Sequence, residues 1–502
     1  MSELLTHDEY KSLGASLDFP QSPFIDGKYY KGSGALMTTL NPSTGKEITS
    51  IATASDEDVD LAVEKAREAF DQGRWSRLHP SERKDILIKL CKLLTRNQKE
   101  LAVMESLESG KPIRDCVQID LPEAIHTIKW HAELIDKIYD KTSPSGDDAL
   151  SIILREPIGV VAAILPWNFP LLMLAWKIGP ALASGCSVIV KPAEQTSLTA
   201  LRVAELAAEA GIPRGVLQVL PGAGPIVGEK LGRHADIDMV SFTGSTRVGR
   251  MLHALGAESI KRVRTELGGK SATVVLDDAT ADQIATMAGH VIGNSGQSCN
   301  ALSRMIVPES RYEEAVAIAK KVFESVTITD ASGGGDIGPL ASQMQFDKVT
   351  GYIQKGIDEG ARLVTGGPSR PAGFDAGYFV QPTVFADAHN KMTIAQEEIF
   401  GPVLTIIPYK TEEEAIDIAN DTIYGLNNGV ASANMDRAMA VAVQLRSGQV
   451  QINTPSGGAG PMVPFGGYKQ SGDGREWGSH GLEEMLQVKA INKPKSRRKS
   501  KL

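Results

Sequence analysis

Short apolar runs rich in β-branched residues alternate with helix-like stretches along the middle of this chain. The helix-like stretches include LTALRVAELAAEAG (198–211), and a second alternating region covers residues 300–460. The apolar runs are IGVVAAIL (158–165), SVIVK (187–191), VLQVL (216–220), MVSFT (239–243) and SATVVL (271–276). Continuous apolar strands between helices are typical of parallel sheets covered on both faces. We therefore expect an α/β protein with two doubly wound parallel-sheet domains.

Helix-like patterns also flank this region. Residues 55–73 begin at Ser55, a good N-cap, and carry acidic residues in the first turn, while residues 79–111 continue in helical period. Residues 411–421 begin with Thr411 and Glu414 at the spacing of a capping box. These patterns predict helices over the three segments.

The composition excludes several classes of protein. Hydrophobic residues make up 42% of the 502 residues, and the net charge of −8 argues against nucleic acid as the main partner. The polar N-terminus lacks the apolar core of a signal peptide, and no apolar run approaches the roughly 18–20 residues that cross a bilayer. The four cysteines lack CxxC spacing and the nine histidines lack HExxH spacing. We therefore expect no disulfide, no metal and a reduced, cytoplasmic location.

The C-terminus is a basic tail, residues 496–502, which ends in Ser500-Lys501-Leu502. In a eukaryote a terminal SKL would direct the protein to peroxisomes. The alternative is a solvated basic tail that happens to end this way.

Three strand-to-helix turns suggest a nucleotide site. Lys191 and Glu194 follow one strand, the glycines of LPGAGPIVGEK (220–230) follow the next, and Ser245 lies in SFTGSTRVG (241–249) after a third. Ligands of open α/β sheets bind at the carboxyl ends of strands, and helix N-termini bind phosphate. A carboxylate at Glu194 would bond ribose hydroxyls and repel a 2′-phosphate, which favours NAD over NADP. Plain turns and a surface glutamate are the alternatives.

Cys299 lies in a small, polar stretch, GNSGQSCNA (293–301), that would leave its sulfur reachable by a ligand. The stretch permits a nucleophilic thiol, whereas the alternative is an inert buried cysteine. For Cys91 and Cys186, in apolar contexts, and for Cys116 we expect the inert role.

Seven motifs occur in an order that resembles the NAD(P)-dependent aldehyde dehydrogenase superfamily. The resemblance extends from FIDGKYY (24–30) to LQVKAI (486–491), nearly the whole chain. The motifs are PWNFP (166–170), KPAEQT (191–196), FTGSTRVG (242–249), ELGGKS (266–271), GQSCN (296–300), EEIFGPV (397–403) and PFGGYKQSGDGRE (464–476). The resemblance implies an aldehyde dehydrogenase-like fold with an oligomerisation hairpin.

The resemblance assigns catalytic roles to three residues. Cys299 would attack the aldehyde to give a thiohemiacetal and then a thioester, with Asn168 and the Cys299 backbone N–H as oxyanion donors. Glu266 would activate the water that releases a carboxylic acid. A turn role for Asn168 and a solvent-exposed Glu266 are the local alternatives. The alternative functions are a coenzyme A-acylating semialdehyde dehydrogenase, which generally lacks a base at this position, and a catalytically silent relative.

The same resemblance implies a set of residues around NAD. Glu398 and Phe400 would hold the nicotinamide ribose and ring, and Gln345 and Lys348 would contact the ribose on the adenosine side. Glu476 would belong to a proton route or be a surface charge. The other predicted contacts are Pro166, Trp167, Lys191, Ala193, Glu194, Gly224, Gly228, Phe242, Thr243, Gly244, Ser245, Val248, Leu267 and Gly268.

The predicted substrate tunnel lacks aromatic residues that many members of the superfamily carry. Gly293 precedes the catalytic loop, and residues 454–463 are small and apolar. This pattern favours a wide, apolar entrance for a bulky or long-chain aldehyde, unless backbone shifts refill the space. The predicted lining is Phe169, Met173, Trp176, Gly293, Ser298, Asn300 and Phe465.

The resemblance also implies a homodimer or homotetramer in which a hairpin extends a neighbour's sheet. Residues 134–155 and 485–492 are the candidates for the hairpin and its terminal strand, and ALSIILRE (149–156) alternates as a strand does. The predicted domains are a dinucleotide-binding domain (20–133 and 154–265), a catalytic domain (266–463), and oligomerisation or bridging segments (134–153 and 464–495) before the tail.

Overall fold

The apolar runs of the sequence form strands in the structure, a computed structural model that describes residues 5–146, 149–454 and 460–495. Within these residues the strands are β1 (Phe24–Ile25), β2 (Lys28–Tyr29), β3 (Leu36–Asn41), β4 (Lys46–Ala52), β5 (Lys141–Ser143), β6 (Ala149–Pro157), β7 (Val160–Ile164), β8 (Ser187–Lys191), β9 (Leu217–Val219), β10 (Met239–Thr243), β11 (Arg262–Glu266), β12 (Ala272–Val275), β13 (Arg304–Pro308), β14 (Arg362–Thr365), β15 (Thr383–Ala386), β16 (Val403–Tyr409), β17 (Asn427–Ala431), β18 (Gln449–Ile452) and β19 (Leu486–Pro494).

The first large sheet has the order β11-β10-β7-β8-β9-β1-β2. Its five central strands, β7 to β11, are parallel, and β1 and β2 add an antiparallel edge. The chain builds outward from β7 to β9, then returns to place β10 on the other side of β7. The gap between β7 and β10 is therefore the switch point at which open α/β sheets bind ligands.

The second large sheet has the order β14-β15-β16-β13-β12-β17-β18 and is parallel except for its edge strand β14. The expectation of two doubly wound parallel sheets is confirmed. Residues 267–271 alone join β11 of the first sheet to β12 of the second. The segment 267–271 therefore lies at the junction of the two sheets.

A third, antiparallel sheet has the order β19-β6-β5. The stretch predicted to be a strand at 149–156 is β6, and β19 pairs with it from Leu486 to Pro494. In β19, Val488 and Ile491 are exposed. A separate two-stranded ribbon of β3 and β4 lies near the N-terminus.

The helices cover both faces of the large sheets. They are α1 (His7–Ser16), α2 (Asp56–Asp71), α3 (Pro80–Arg96), α4 (Gln98–Ser109), α5 (Ile113–Asp115), α6 (Leu121–Leu134), α7 (Pro170–Ser184), α8 (Leu198–Ala210), α9 (Glu229–Arg233), α10 (Thr246–Ala257), α11 (Ala281–Gly289), α12 (Tyr312–Glu324), α13 (Gln343–Asp358), α14 (Thr393–Gln396), α15 (Glu412–Asn420), α16 (Met435–Ala442) and α17 (Gly478–Glu484). None of the helices in the described ranges is long and apolar enough to cross a membrane.

Two of the helix predictions need correction. The stretch 79–111 is two helices, because the Asn97 side chain donates to the Leu93 carbonyl at 2.8 Å and ends α3. At α15 the capping box is only half formed. Thr411 Oγ1 accepts from the Glu414 N–H, but the Glu414 carboxylate accepts from Lys410 N instead of Thr411 N. The cap of α2 at Ser55 forms as predicted.

Candidate active site

The carboxyl ends of β7, β8, β10 and β11 lie level with one another. Ile164 pairs with Lys191 on one side and with Phe242 on the other, and Thr243 pairs with Glu266. The parallel register thus brings four of the sequence motifs to one edge of the first sheet. Pro166, Trp167 and Asn168 follow β7 at this edge, and Ala193 follows β8.

Lys191 and Glu194 form an ion pair at this edge, with Nζ and Oε2 3.3 Å apart. The other carboxylate oxygen, Oε1, accepts from the Gly224 N–H at 2.5 Å. Burial raises the pKa of Glu194, but Lys191 and the Gly224 N–H outweigh burial and leave the pKa below its ordinary value. Glu194 is therefore a charged carboxylate held in place, and not a free surface glutamate.

The N-terminus of α10 faces the same edge. Ser245 caps this helix by accepting from the Val248 N–H, and the buried Thr243 hydroxyl has no hydrogen-bond partner within the described part of the chain. Only glycine fits at position 244, because a Cβ there would lie 2.4 Å from the Phe242 ring. At Gly228 a Cβ would meet no described atom within 4 Å. A free hydroxyl, helix N–H groups and open space fit a phosphate-containing ligand.

Glu398 reaches across the junction between the sheets. Its Oε1 accepts from the Gly269 N–H at 2.9 Å, and a Cβ on Gly268 would lie 2.4 Å from its Oε2. Burial raises the pKa of Glu398, while the charges of Lys348 and Lys270 limit the rise. This carboxylate is thus fixed beside the segment that joins β11 to β12.

Gln345 and Lys348 lie close to Phe400 and Glu398. Gln345 donates to the Phe400 carbonyl at 2.7 Å, and the charge of Lys348 acts on Glu398. Both residues are on α13, one helical turn apart, so they share a face. They thus neighbour the two residues that the resemblance places at the nicotinamide ribose and ring, and their own expected contact with the adenosine-side ribose stays a prediction. Trp167 lies at the same end, with its ring 5.4 Å from that of Phe400.

Cys299 and Asn168 belong to two loops that are bonded to each other. The Asn168 side chain donates to the Gln297 carbonyl at 2.9 Å, and Asn294 Nδ2 donates to the Asn168 carbonyl at 2.9 Å. Glycine is required at position 269, because a Cβ there would lie 2.4 Å from the Cys299 carbonyl oxygen. The segment that carries Glu266 therefore packs directly on the cysteine loop.

Glu266 is buried, with 4% of its surface exposed, and neither carboxylate oxygen has a hydrogen-bond partner among the described residues. Burial and the neighbouring Glu476 raise its pKa well above the ordinary value, against the charges of Lys177 and Arg475. The solvent-exposed alternative for Glu266 is therefore wrong. Glu476 is also buried and forms an ion pair with Lys177, so it is not a surface charge.

The surroundings of Cys299 disfavour a thiolate in the ligand-free protein. Burial raises the pKa of its thiol to about 12, and the carboxylates of Glu398 and Glu266 act in the same direction. The backbone N–H groups of Cys299 and Asn300 oppose the shift. The thiol is therefore protonated at neutral pH and needs a base before it can attack a carbonyl.

The predicted tunnel residues Phe169, Met173 and Trp176 lie on one face of α7 and its N-cap. Trp176 packs against Phe465, with ring centroids 4.9 Å apart, and against Trp477 at 4.1 Å. These three rings form an aromatic wall, and Cys299 packs against the same apolar cluster. Ser298 and Asn300 flank Cys299 in the cysteine loop, and the Ser298 hydroxyl donates to Asn300 Oδ1 at 2.7 Å.

Gly293 keeps the space that its missing side chain leaves. A Cβ at this position would meet no atom of the described residues within 4 Å. Residues 455–459, part of the predicted small, apolar loop, lie outside the described residues. No group of three or more His, Cys, Asp or Glu side chains in the described ranges is arranged to hold a metal ion.

A sequence model described as "Aldehyde dehydrogenase family" matches residues 29–491. The chain belongs to this family. The match covers every motif and every site residue described above. This aldehyde dehydrogenase therefore contains a thiol, an amide and a buried carboxylate at the junction of its two sheets.

Relatives of known sequence or structure align over almost the whole of this aldehyde dehydrogenase. Aminoacetaldehyde dehydrogenase of Pseudomonas aeruginosa is 46% identical over 98% of this chain and 99% of its own length. A crystal structure of indole-3-acetaldehyde dehydrogenase with NAD+ is 41% identical, with a TM-score of 0.95, over 98% of this chain and 100% of that one. An aldehyde dehydrogenase of Pseudomonas syringae solved with NAD+ and octanal is 41% identical, with a TM-score of 0.91, over 94% and 96%.

Sequence reasoning missed three residues of the site: Lys177, Asn294 and Trp477. Lys177 could have been found from helical spacing, because it follows Phe169 and Met173 at intervals of four on the same face. Trp477 is adjacent to the last motif and carried no signal beyond its size. Asn294 lies in the stretch that contains Cys299, but its bond to the Asn168 carbonyl depends on tertiary contact.

Proposed function

We propose that this aldehyde dehydrogenase uses NAD to oxidise an aldehyde to a free carboxylic acid through a thiohemiacetal and a thioester on Cys299. The observation that carries the proposal is the convergence of the Cys299 loop, the Asn168 amide and the buried, unpartnered Glu266 carboxylate. Burying a carboxylate without hydrogen bonds is costly, and such groups concentrate at catalytic sites.

The first step is addition of the thiol to the aldehyde. The sulfur forms a bond to the carbonyl carbon, its proton passes to a base, and the carbonyl electron pair moves to oxygen. Glu266 suits the role of base, because its raised pKa favours binding a proton. The second N–H of Asn168 and the Cys299 N–H would stabilise the alkoxide, and losing one such donor costs about 10²–10³ in rate.

Bound NAD would supply the hydride acceptor next to the thiohemiacetal carbon. The thioester that remains on Cys299 is then hydrolysed: a water attacks the acyl carbon, its proton goes to Glu266, the C–S bond breaks, and the sulfur leaves as a thiol by taking that proton from Glu266. Glu266 must therefore have released the proton of the first step beforehand. Lys177 and Glu476 continue the line of titratable groups from Glu266 into the protein, which supports a route for that proton.

Lys191 and Glu194 would hold the ribose on one side of NAD, and Glu398 would hold the ribose on the other. The N-terminus of α10 with Ser245 and the open space at Gly228 suit the pyrophosphate. Glu194 supports a preference for NAD over NADP, because its charged carboxylate would repel a 2′-phosphate.

The experiment is to mix the protein with NAD and a panel of aldehydes, with and without coenzyme A, and to follow NADH absorbance and product. We expect NADH and a free acid without coenzyme A. NADH that forms only with coenzyme A would establish acyl transfer instead, and bound NAD without turnover of any aldehyde would establish a silent relative. The Cys299→Ala variant should lose turnover and keep NAD binding.

The proposed substrate is a bulky or long-chain aldehyde. The open space at Gly293 and the aromatic wall of Trp176, Phe465 and Trp477 support it, and the relatives solved as indole-3-acetaldehyde dehydrogenase and with octanal act on or bind such molecules. We expect kcat/KM for octanal to exceed that for acetaldehyde. The Gly293→Phe variant should reverse the order, while Gly351→Ala, at another open glycine on α13, should not. A peak at acetaldehyde in the parent protein refutes this substrate class.

A short cationic aldehyde is the second candidate. Glu123, half-buried on α6, forms no hydrogen bond or ion pair with a described residue, and burial followed by the charge of Asp120 raises its pKa to about 7. Asp120 pairs with Lys111, whose Nζ lies 3.6 Å from the centre of the Phe169 ring in the predicted tunnel. The relative named aminoacetaldehyde dehydrogenase supports the same candidate. Including aminoacetaldehyde in the aldehyde panel separates the long-chain from the short cationic candidate. Glu123→Gln should raise the KM for aminoacetaldehyde and leave the KM for octanal unchanged.

Assembly and location remain proposals. The edge strand β19, with Val488 and Ile491 exposed, supports a homodimer or homotetramer in which this sheet meets a neighbour. Light scattering measures the assembly. The tail 496–502, with Ser500-Lys501-Leu502, lies outside the described residues, and bacterial relatives and relatives named as mitochondrial give no support to a peroxisomal location. The proposed domain boundaries follow the two large sheets.

A further inference from the structure

Asn294 bonds the cysteine loop to the segment that carries Asn168. Its Nδ2 donates to the Asn168 carbonyl at 2.9 Å and to the Gln297 carbonyl at 3.1 Å. The Asn168 side chain donates to that same Gln297 carbonyl at 2.9 Å. Two amide side chains and two backbone carbonyls thus form one network, two residues before the cysteine.

The two amides differ in how many of their N–H groups already have an acceptor. A primary amide carries two N–H groups. Asn294 donates both of them to backbone carbonyls. Asn168 donates one N–H to the Gln297 carbonyl, so its second N–H remains for another acceptor. Asn168 is therefore able to donate to a substrate oxygen, whereas Asn294 is not.

The backbone at Asn294 explains why this residue type is found there. Asn294, Ser295 and Gly296 have consecutive positive φ angles of 51°, 55° and 74°. Asparagine tolerates this left-handed conformation better than most residues, and at Gly296 a Cβ would lie 2.0 Å from the Gly401 carbonyl carbon. Strained backbone persists where the surroundings fix it, and it concentrates at functional sites.

The far side of the loop is anchored independently of Asn168. Ser295 Oγ donates to the Gly338 carbonyl at 2.9 Å, and Gln297 Oε1 accepts from the Ala341 N–H at 2.9 Å. Loss of the Asn294 amide would therefore leave the loop attached to residues 338–341. It would remove the bond to the Asn168 backbone and thereby loosen the oxyanion donor.

We propose that Asn294 is a positioning residue that aims the free N–H of Asn168 at the aldehyde oxygen. The inference rests on the proposed role of Asn168. Asn294→Asp keeps the shape and the tolerance of positive φ but removes both N–H donors. Asn294→Gly keeps the backbone conformation and deletes the amide. We expect either variant to lower kcat roughly 10- to 100-fold, less than the loss of a full oxyanion donor, with little change in the KM for NAD.

A double-mutant cycle with Asn168→Ala tests the inference. If Asn294 acts only through Asn168, the double variant is no slower than Asn168→Ala alone. Rate losses that multiply, or a kcat unchanged in both Asn294 variants, overturn the inference. An Asn168→Ala variant with full kcat overturns the proposed oxyanion role instead, so the two failures are distinguishable.

Controls separate positioning from damage to the fold. Asn434 caps α16, where a carboxylate caps as well as an amide, so Asn434→Asp should leave kcat unchanged. Iodoacetamide should label Cys299 at the parental rate in the Asn294 variants, because the loop keeps its other anchors. Faster labelling would show that the loop itself has moved and would overturn the inference. Where Asn294→Asp does not fold, Asn294→Gly carries the test.

Discussion

The thiol of Cys299 should react slowly with iodoacetamide in the ligand-free enzyme at neutral pH. Burial raises its pKa to about 12, and the carboxylates of Glu398 and Glu266 add to the rise. An ordinary cysteine has a pKa of about 8.5, and only the thiolate reacts. The thiolate fraction at neutral pH is therefore lower by roughly 10³-fold than for an exposed cysteine.

The assay is the rate of alkylation, followed by mass spectrometry between about pH 6 and pH 10. The rate should rise about tenfold for each pH unit without a plateau, because the pKa lies above the range. Cys299→Ala supplies the background from Cys91, Cys116 and Cys186, which are buried. A plateau below about pH 9 would mean that the local carboxylates and burial do not govern this thiol, and the electrostatic reasoning would be refuted.

Three further predictions concern the base, the cofactor and the tunnel. Glu266→Gln should slow thioester hydrolysis about 10²- to 10⁴-fold, and it should also slow the burst of one NADH per site, because Glu266 is the proposed base for thiol addition as well; a burst at the parental rate would confine Glu266 to hydrolysis. Glu194→Gln should lower the ratio of KM for NADP to KM for NAD, since the repulsive charge is removed, and an unchanged ratio would exclude Glu194 as the discriminating group. Trp477→Leu should shift kcat/KM toward larger aldehydes, as one ring of the aromatic wall is lost, and identical substrate ranking would remove Trp477 from the tunnel.

The parallel sheets and the meeting of the motifs were predictable for a simple reason. Parallel strands place all their carboxyl ends at one edge, so residues that follow different strands become neighbours without any knowledge of side-chain contacts. Glu266, at the end of β11, and Asn168, after β7, are examples. The same logic does not reach Gln345 and Lys348, which follow no strand and lie on helix α13.

The burial and the charged neighbours of the site residues could not be predicted from the sequence. Glu476 could be read as a surface charge, because nothing near it in the chain shows that Lys177, 299 residues away, is its partner. The surroundings of Cys299 are a second example: its neighbours in sequence are small and polar, but its pKa is raised by burial and by the carboxylates of Glu398 and Glu266 from other segments. Electrostatic environment is a property of tertiary contacts, and short motifs do not encode its sign.

The buried charge of Glu266 should reduce stability in a way that depends on pH. Folding raises its pKa well above the ordinary glutamate value of about 4.3. The native state therefore favours the protonated form, and free energy of unfolding is lost as pH rises through the interval between the two pKa values. Thermal unfolding of the parent and of Glu266→Gln should differ least near pH 5 and increasingly in favour of the variant toward about pH 9, because glutamine buries the same shape without the charge. Glu309→Gln, at an exposed glutamate, should show no such trend. A difference between parent and Glu266→Gln that stays constant with pH would mean that folding does not raise the pKa of Glu266, so that it carries its charge as an ordinary glutamate does, and the argument from its burial would be refuted.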